Sequence, residues 1–485
     1  MRLTRCSGRS CLSWLSTIAL TLLAGSTLTA GIALDLQDPN SIKAAASTCA
    51  YNLLTFYTGN NTGDVPGNLP APYYWWEAGA MFGILIDYYY YTNDSQYNDL
   101  VTQGMLWQVG PDDDYMTPNQ TKTEGNDDQG FWGMAAMSAA EQKYPDPPSG
   151  KPQWLALAQA VFNDQASRWD NQYCNGGLRW QIFTFNTGYD YKNSISNGCF
   201  FNLGARLALY TGNDTYAQWA EKTFNWTQAV SLMDQNYHFY DGAHTTLNCS
   251  DINRVQWTYN AGVFLLGASV MYNYVKCSNV EESDTRTDSL LSQTNGSALW
   301  LERVEGILNA SSIFFATNPP NVMYEVACEP PNTCDTDNYS FKAYLARWLV
   351  ASIKYAPFIQ TTVMPWVQAS ATAAALQCSG GTNGQMCGMK WTQGSTWDGT
   401  QGVGQQMGAL SVIQANLIDQ VSVPVTNKTG GTSQGNAGAG GGGGVSTSDP
   451  ALSQNAITQG SRAGAGVLTC LVLISVIGCS WWMIA

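Results

Sequence analysis

Histidine and charge are what this chain has least of. Only two of its 485 residues are histidine, His238 and His244, and charged side chains make up 12%, about half the usual quarter. Two imidazoles cannot furnish a histidine-rich metal centre, so no metal or other cofactor is expected. The charge present is one-sided, 36 acidic against 22 basic side chains for a formal net charge of −14. That balance removes the basic surface on which nucleic-acid binding depends. Lysine is outnumbered by tryptophan, 11 to 18, while hydrophobic residues reach 45% and aromatics 12%. A chain this poor in charge and rich in aromatics has the material for a core and does not read as disordered.

The two ends carry targeting patterns. Residues 1–33 hold Arg2, Arg5 and Arg9, an apolar run from Leu12 to Leu28, and a small-residue stretch at Ala30-Gly31-Ile32-Ala33, the form of a secretory signal peptide. Without that segment 36 acidic stand against 19 basic residues, for −17. Residues 462–485 end in VLTCLVLISVIGCSWWMIA with no basic residue after the apolar run. Small and polar residues precede it from Ser453, the pattern that exchanges a cleaved tail for a glycosylphosphatidylinositol (GPI) anchor, with Asn455 as the expected attachment site. A membrane-spanning anchor is the alternative at either end. Residues 426–461 are dominated by Gly, Ser, Thr, Asn and Gln, with five glycines in a row from Gly440 to Gly444. They are expected to form a flexible stalk spanning roughly 30–36 Å.

Secretion makes the cysteines interpretable as disulfides. Cys6, Cys11, Cys470 and Cys479 fall in the two processed ends, which leaves nine, an odd number. The spacings of Cys328 with Cys334 and of Cys378 with Cys387 suit loop-closing bridges, whereas pairing among Cys49, Cys174, Cys199, Cys249 and Cys277 stays open. Ten Asn-X-Ser/Thr sequons begin at Asn60, Asn93, Asn119, Asn213, Asn225, Asn248, Asn295, Asn309, Asn338 and Asn427, which fits a glycosylated surface.

Between the ends, apolar residues recur at helical spacing and strand-like alternation is scarce. A helix over 41–57 is followed by pairs at 75–91 with 95–107, 127–144 with 153–169, 197–210 with 215–229, 259–275 with 298–315, and 340–355 with 361–376, then a last helix at 403–418. One member of each pair is rich in Gly, Ala and aromatics; the other is more amphipathic. The unpaired first and last helices can pair with each other, which predicts an all-α (α/α)6 toroid of six helical hairpins over residues 34–425. An open solenoid is the alternative.

In such a ring the loops leading into the inner helices open on one face. The inner-helix starts read EGNDDQGFWGMAA from Glu124, YKNSISNGCFFNLGA from Tyr191, NRVQWTYNAGVFLLGA from Asn253 and DGTQGVGQQMGAL from Asp398, and GGLRWQI from Gly176 lies between helices. Asp127 and Asp128 are the catalytic candidates. Glycosidic cleavage needs one carboxylate to attack or activate water and one carboxylic acid to protonate the leaving oxygen. Neighbouring charge raises the pKa of one, and a helix N-terminus favours ionisation of the other. Ordinary N-cap chemistry would account for the same residues. Asp112, Asp113 and Asp114 follow Gly-Pro and read as a solvated turn. Sugar rings stack their C–H faces on aromatics, so Trp75, Trp76, Trp132, Trp180, Trp257 and Tyr259 are candidate subsite walls; core packing is the rival for each and suits Trp132, inside a helix, best, while Trp180 and Trp257 precede polar motifs.

These motifs, with MTPNQTKTEGNDDQGFWGMAAMSAAE from Met116, resemble glycoside hydrolase family 76, the endo-α-1,6-mannanases, and look most like its fungal GPI-anchored cell-wall branch, the Dfg/Dcw type. The resemblance covers about residues 35–421. It implies a retaining mechanism with Asp127 as nucleophile and Asp128 as general acid/base, and substrate contacts from Asn126, Trp180, Lys192, Asn197, Trp257, Tyr259 and Asn260. Where the family has Gln after Tyr-Asn, this chain has Ala261. The branch implies a donor that is α-1,6-mannan or the mannose core of a GPI glycan, a β-glucan acceptor where transfer replaces hydrolysis, membrane attachment through the anchor, and a location at the outer face of the plasma membrane and the cell wall. The rival is a non-catalytic, GPI-anchored carbohydrate-binding or structural wall protein.

Overall fold

A computed structural model describes residues 31–120, 122–281 and 298–441. Most of the signal segment, the sequon at Asn295, the stalk beyond Gly441, Asn455 and the apolar tail lie outside the described residues. Twelve α-helices are described: α1 (Pro39–Leu54), α2 (Trp75–Thr92), α3 (Asn98–Trp107), α4 (Asn126–Glu141), α5 (Trp154–Ser167), α6 (Ser194–Thr211), α7 (Asp214–Ala229), α8 (Thr258–Glu281), α9 (Ala298–Ala310), α10 (Asn338–Ile353), α11 (Gln360–Gln377) and α12 (Val403–Gln414).

The even-numbered helices form the inner ring. Each packs on the next, and α12 packs on α2, so the ring is closed; α1 packs on α12 and fills the remaining outer position. The toroid is therefore the observed architecture, closed by the pairing of its first and last helices. Small residues allow the inner helices to approach. A Cβ on Gly79 of α2 would lie 2.7 Å from the Trp132 indole of α4, and one on Gly198 of α6 would lie 2.4 Å from Val263 of α8. Trp76, Phe131, Tyr344 and Trp348 meet across the bore with ring centroids 4.8 to 6.3 Å apart, so the ring is plugged by aromatics. Trp132 is fully buried and belongs to this core.

Helix ends follow local chemistry. Asn93 (φ 60°) and Gly212 (φ 72°) turn left-handed and end α2 and α6, and Asn213 then caps α7 by accepting the Thr215 N–H at 3.0 Å. The expected helix over 298–315 stops at Ala310. A 3-10 turn follows, then β4 (Phe315–Thr317) paired with β5 (Pro320–Met323), too short to show as alternation in the sequence. On the other side β1 (Tyr191–Asn193), β2 (Gly242–His244) and β3 (Ile252–Asn253) form a small antiparallel sheet.

Both expected loop-closing disulfides are present, Cys328–Cys334 and Cys378–Cys387, and Cys174 pairs with Cys249. Cys49 and Cys199 are buried thiols. Eight described sequon asparagines are exposed; Asn338 is buried, with Oδ1 accepting the Asp335 N–H at 3.2 Å, which removes it as a glycosylation site.

The stalk does not begin at residue 426. Val425 N–H bonds the Glu141 carbonyl at 2.8 Å, Asn427 N–H bonds the Tyr210 carbonyl at 3.1 Å, and Asn436 N–H bonds Gln159 Oε1 at 2.6 Å. Ser433 Oγ accepts the Leu155 N–H at 2.9 Å, so it satisfies a free donor in the first turn of α5 from almost 280 residues away. Asn163 then holds the carbonyls of Ala437 and Ala439 at 3.0 and 2.9 Å. Glycine serves close approach in this segment: a Cβ on Gly435 would come within 2.6 Å of Gln159 Oε1. Composition alone does not separate such a docked strap from a flexible one.

The close inner packing is testable. Gly79→Ala is expected to destabilise the protein by about 1–3 kcal/mol through overpacking against Trp132, measured by urea unfolding. Gly438→Ala, where an added Cβ would meet only Asn436 Oδ1 at 3.7 Å, should stay within about 0.5 kcal/mol of the parent.

Candidate active site

Gly125 precedes α4 in an extended conformation, and its N–H donates to Asp128 Oδ2 at 2.8 Å. The acid three residues on thus closes the helix start. The turn is fixed to the loop before α6. Asn126 N–H bonds the Trp180 carbonyl at 2.8 Å, Asn126 Nδ2 bonds the Arg179 carbonyl at 2.9 Å, and Trp180 N–H bonds the Tyr191 carbonyl at 2.7 Å. These bonds leave the Trp180 ring 36% exposed beside the acidic pair.

Asp127 is 8% exposed. Its Oδ1 accepts the Asp128 N–H at 3.1 Å, and its Oδ2 accepts Asn193 Nδ2 at 3.2 Å. Asn193 also caps α6 by accepting the Ser196 N–H at 3.2 Å, so one residue sets both the helix and the carboxylate. Asp128 is half-buried. Its Oδ1 alone among the four carboxyl oxygens receives no hydrogen bond among the described residues.

Burial, then the charge of Asp128, raises Asp127 well above the ordinary aspartate value, with Asn193 and peptide N–H groups opposing. Burial also raises Asp128 to about 6, the Gly125 N–H opposing and the charge of Asp337 adding. Two neighbouring carboxyls of this kind hold one proton between them as neutrality is approached from the acid side. Burial favours this proton on Asp127; the N–H donors to Asp127 pull the other way, toward charge on Asp127 and the proton on the free Oδ1 of Asp128.

Across the mouth, Asp337 precedes α10 and accepts Trp76 Nε1 at 3.3 Å. It is raised to about 6 by burial and by Asp335. Tyr259 stacks on Phe341 with centroids 3.9 Å apart, and Trp257 meets the same ring edge-on at 5.5 Å. Asp241 fixes Trp257 by accepting its Nε1 at 3.0 Å and also accepts the Tyr191 hydroxyl at 2.6 Å. The mouth therefore has an acidic pair on one side, stacked aromatics on the other and an aromatic floor. Such a site suits the C–H faces of a sugar and cleavage at its anomeric centre.

The model of Glycosyl hydrolase family 76 matches residues 41–428. The chain belongs to this family. It is thus a glycoside hydrolase. It is 44% identical over 467 residues to the mannan endo-1,6-alpha-mannosidase DCW1 of Saccharomyces cerevisiae, covering 96% of this chain and 98% of that protein. Among solved structures it is similar to Dfg5 from Chaetomium thermophilum in complex with glucosamine, at 44% identity and a TM-score of 0.76, covering 83% of this chain and 97% of that one. An inactive variant of the α-1,6-mannanase GH76A of Salegentibacter, in complex with α-1,6-mannotetrose, shares the fold at 17% identity and a TM-score of 0.57, covering 78% of this chain and 99% of that one.

Within this family 76 site, Asp127, Asp128, Trp180, Trp257 and Tyr259 converge on the mouth as the sequence suggested. Four other candidates do not present their side chains there. Lys192 is fully buried and spends its ammonium on the carbonyls of Asp170, Tyr173 and Gly176 at 3.0, 2.7 and 2.5 Å. Burial lowers it to about 8, with Asp170 opposing. Asn197 is buried, accepting the Leu178 N–H at 2.7 Å and donating to the Leu178 and Asn193 carbonyls at 3.1 and 2.8 Å. Asn126 is occupied by the bonds above and by Arg168, 3.0 Å from its Oδ1. Asn260 is 1% exposed, with neither side-chain amide atom hydrogen-bonded among the described residues. Lys192, Asn197 and Asn126 position the Trp180 loop.

Asn193, Asp241 and Asp337 are the residues that sequence reading missed. Asn193 lay within a quoted motif, and its signal was an Asn directly before a helix; Asp337 carried no comparable motif. Asp114 is buried, unlike the exposed Asp112 and Asp113. Gln129 Nε2 links the Asp114 carbonyl at 2.8 Å to Asp164 Oδ2 at 3.0 Å, so the acidic run ends in a polar layer behind α4.

Asn193→Ala removes a donor that favours ionised Asp127, so the pKa of Asp127, the group expected to act ionised, rises. The acidic limb of kcat/KM against pH should move to higher pH while the alkaline limb stays nearer its place. Lys192→Met should cost about 3 kcal/mol or more by stranding buried partners, read as a lower unfolding midpoint.

Proposed function

We propose that this protein is a retaining endo-α-1,6-mannosidase or transglycosidase that acts on α-1,6-mannan or the mannose core of GPI glycans in cell-wall biogenesis. The observation that carries the proposal is the adjacent pair at the start of α4, with Asp127 held by N–H donors and Asp128 Oδ1 left open. The name of the yeast relative supports α-1,6-mannan as the substrate class.

In the first step the Asp127 carboxylate attacks the anomeric carbon as its bond to the leaving oxygen breaks. The proton of Asp128 passes to that oxygen, giving a glycosyl ester and an Asp128 carboxylate. In the second step Asp128 takes a proton from water or from a sugar hydroxyl. The oxygen so activated attacks the anomeric carbon and frees Asp127. Water gives hydrolysis, and a hydroxyl of an acceptor such as β-glucan gives transfer.

The apolar N-terminal segment and the C-terminal tail support a secreted, GPI-anchored protein at the outer face of the plasma membrane and in the wall. In that setting its own class of anchor glycan is also a candidate donor.

The test incubates purified protein with an α-1,6-mannosyl or GPI-glycan donor, with and without a glucan oligosaccharide, and identifies products by mass. Shortened donor is expected, with elongated acceptor where transfer occurs, and Asp127→Asn should lower the rate by roughly a thousandfold or more. No product from folded protein, or full activity in Asp127→Asn, would falsify the reading.

A further inference from the structure

A second polar cavity lies beside the mouth, between the start of α10 and the loop that joins α11 to α12. Its volume is about 260 Å³, and it is lined by Asn332, Tyr339, Met389, Lys390, Asp398 and Thr400 among others. That size falls just below the roughly 300 Å³ at which small-molecule clefts begin, room for a single ring and not for a chain. Tyr339 lies two residues after Asp337, which stands across the mouth from Asp128, so the cavity lies on the wall opposite the acidic pair.

The walls are unusually constrained. Asn332 lies in the loop closed by Cys328–Cys334, and Met389 and Lys390 stand two and three residues after Cys387 of the Cys378–Cys387 bridge. Buried Lys342 ties the two loops together, 2.7 Å from Glu329 Oε1 and 2.5 Å from the Met389 carbonyl. Asp398 completes the frame: Oδ2 accepts the N–H groups of Met389 and Lys390 at 2.9 and 2.7 Å, and Oδ1 accepts the N–H and hydroxyl of Thr400, both at 2.8 Å. Two of the three described disulfides thus hold the loops of one small cavity, the preorganisation expected of a binding site.

What the frame leaves free indicates the ligand. Lys390 Nζ makes one hydrogen bond among the described residues, to Asn332 Oδ1 at 2.7 Å, so its other N–H groups remain to donate. The amide nitrogen of Asn332 and the hydroxyl of Tyr339 have no partner among the described residues, and Tyr339 adds a ring face. Lys390 and Asp398 balance in charge, which favours neither an anion nor a cation. Several donors, an aromatic face and no net charge match a neutral polyol.

We propose that this cavity is a second hexose-binding subsite that holds one sugar unit of a glycan whose reacting end lies at Asp127 and Asp128. The proposal rests on the glycan-processing reading above. The unit belongs either to a distant part of the mannosyl donor or to the acceptor glycan; hydroxyl recognition is common to both.

The experiment uses the full chain carrying Asp127→Asn, so that glycans bind without turnover. α-1,6-Mannotetraose and a β-glucan oligosaccharide are titrated separately by calorimetry into this protein and into the same protein with Lys390→Ala and Asn332→Ala added, circular dichroism confirming the fold of each. The added substitutions should weaken binding of at least one glycan by about tenfold, the loss of about 1.4 kcal/mol. Weakening confined to mannotetraose makes the cavity part of the donor site, and weakening confined to the glucan makes it the acceptor site. Unchanged affinity for both glycans, or no binding of either by the Asp127→Asn protein, overturns the proposal. Mannan cleavage by the unsubstituted protein, measured in parallel, reports on the catalytic reading alone, so the two can fail separately.

Discussion

Asn126 donates its peptide N–H to the Trp180 carbonyl and its side-chain amide to the Arg179 carbonyl, and the geometry of the mouth depends on those two bonds. They join the first turn of α4 to a loop with no regular structure of its own. Trp180 in turn bonds Tyr191, and two residues further Asn193 returns to Asp127. The circuit leaves from beside the acidic pair and comes back to it. Each carboxyl is thereby placed by peptide and amide donors whose positions are set by the ring, so little reorganisation is needed as charge moves between them.

Scarce charge is used inside the ring as much as outside it. Lys192, Arg206, Lys342 and Arg347 are all buried. Arg206 meets Glu141 at 2.6 Å and Arg347 meets Asp87 at 2.8 Å, and each also donates to a carbonyl of the facing inner helix, Met134 and Gly83. Burying such pairs gives little net stability, but removing one member strands the other. Their effect here is to fix the register of neighbouring helices around an aromatic bore that apolar packing alone would leave less specified.

The ring was legible in the sequence because its period is long and its helices alternate between two compositions. The position of Asp127 and Asp128 at the mouth was legible because both stand at an inner-helix start. Lys192, Asn197 and Asn126 were misassigned for one physical reason. A polar residue at an inner-helix start satisfies the same local pattern whether it faces the mouth or the loop above it, and only the third dimension separates the two. Asn193 and Lys192 are neighbours on β1, whose alternation sends one toward Asp127 and the other into the carbonyls of Asp170, Tyr173 and Gly176. The strap after Val425 was misread because glycine required for close contact looks the same as glycine that confers freedom.

Closing the ring has an electrostatic consequence that an open solenoid would lack. α4 and α10 face each other across the bore, touching through Phe131 and Tyr344, so Asp337 can act on Asp128 although more than two hundred residues separate them in sequence. Its charge disfavours ionisation of Asp128. A sugar that fills the mouth and displaces water from between the two carboxyls lowers the local dielectric, which strengthens that influence. In the mechanism proposed above, the same repulsion favours return of a proton to Asp128 in the second step. The opposite wall of the toroid would then assist both halves of the proton cycle without touching the reacting bond.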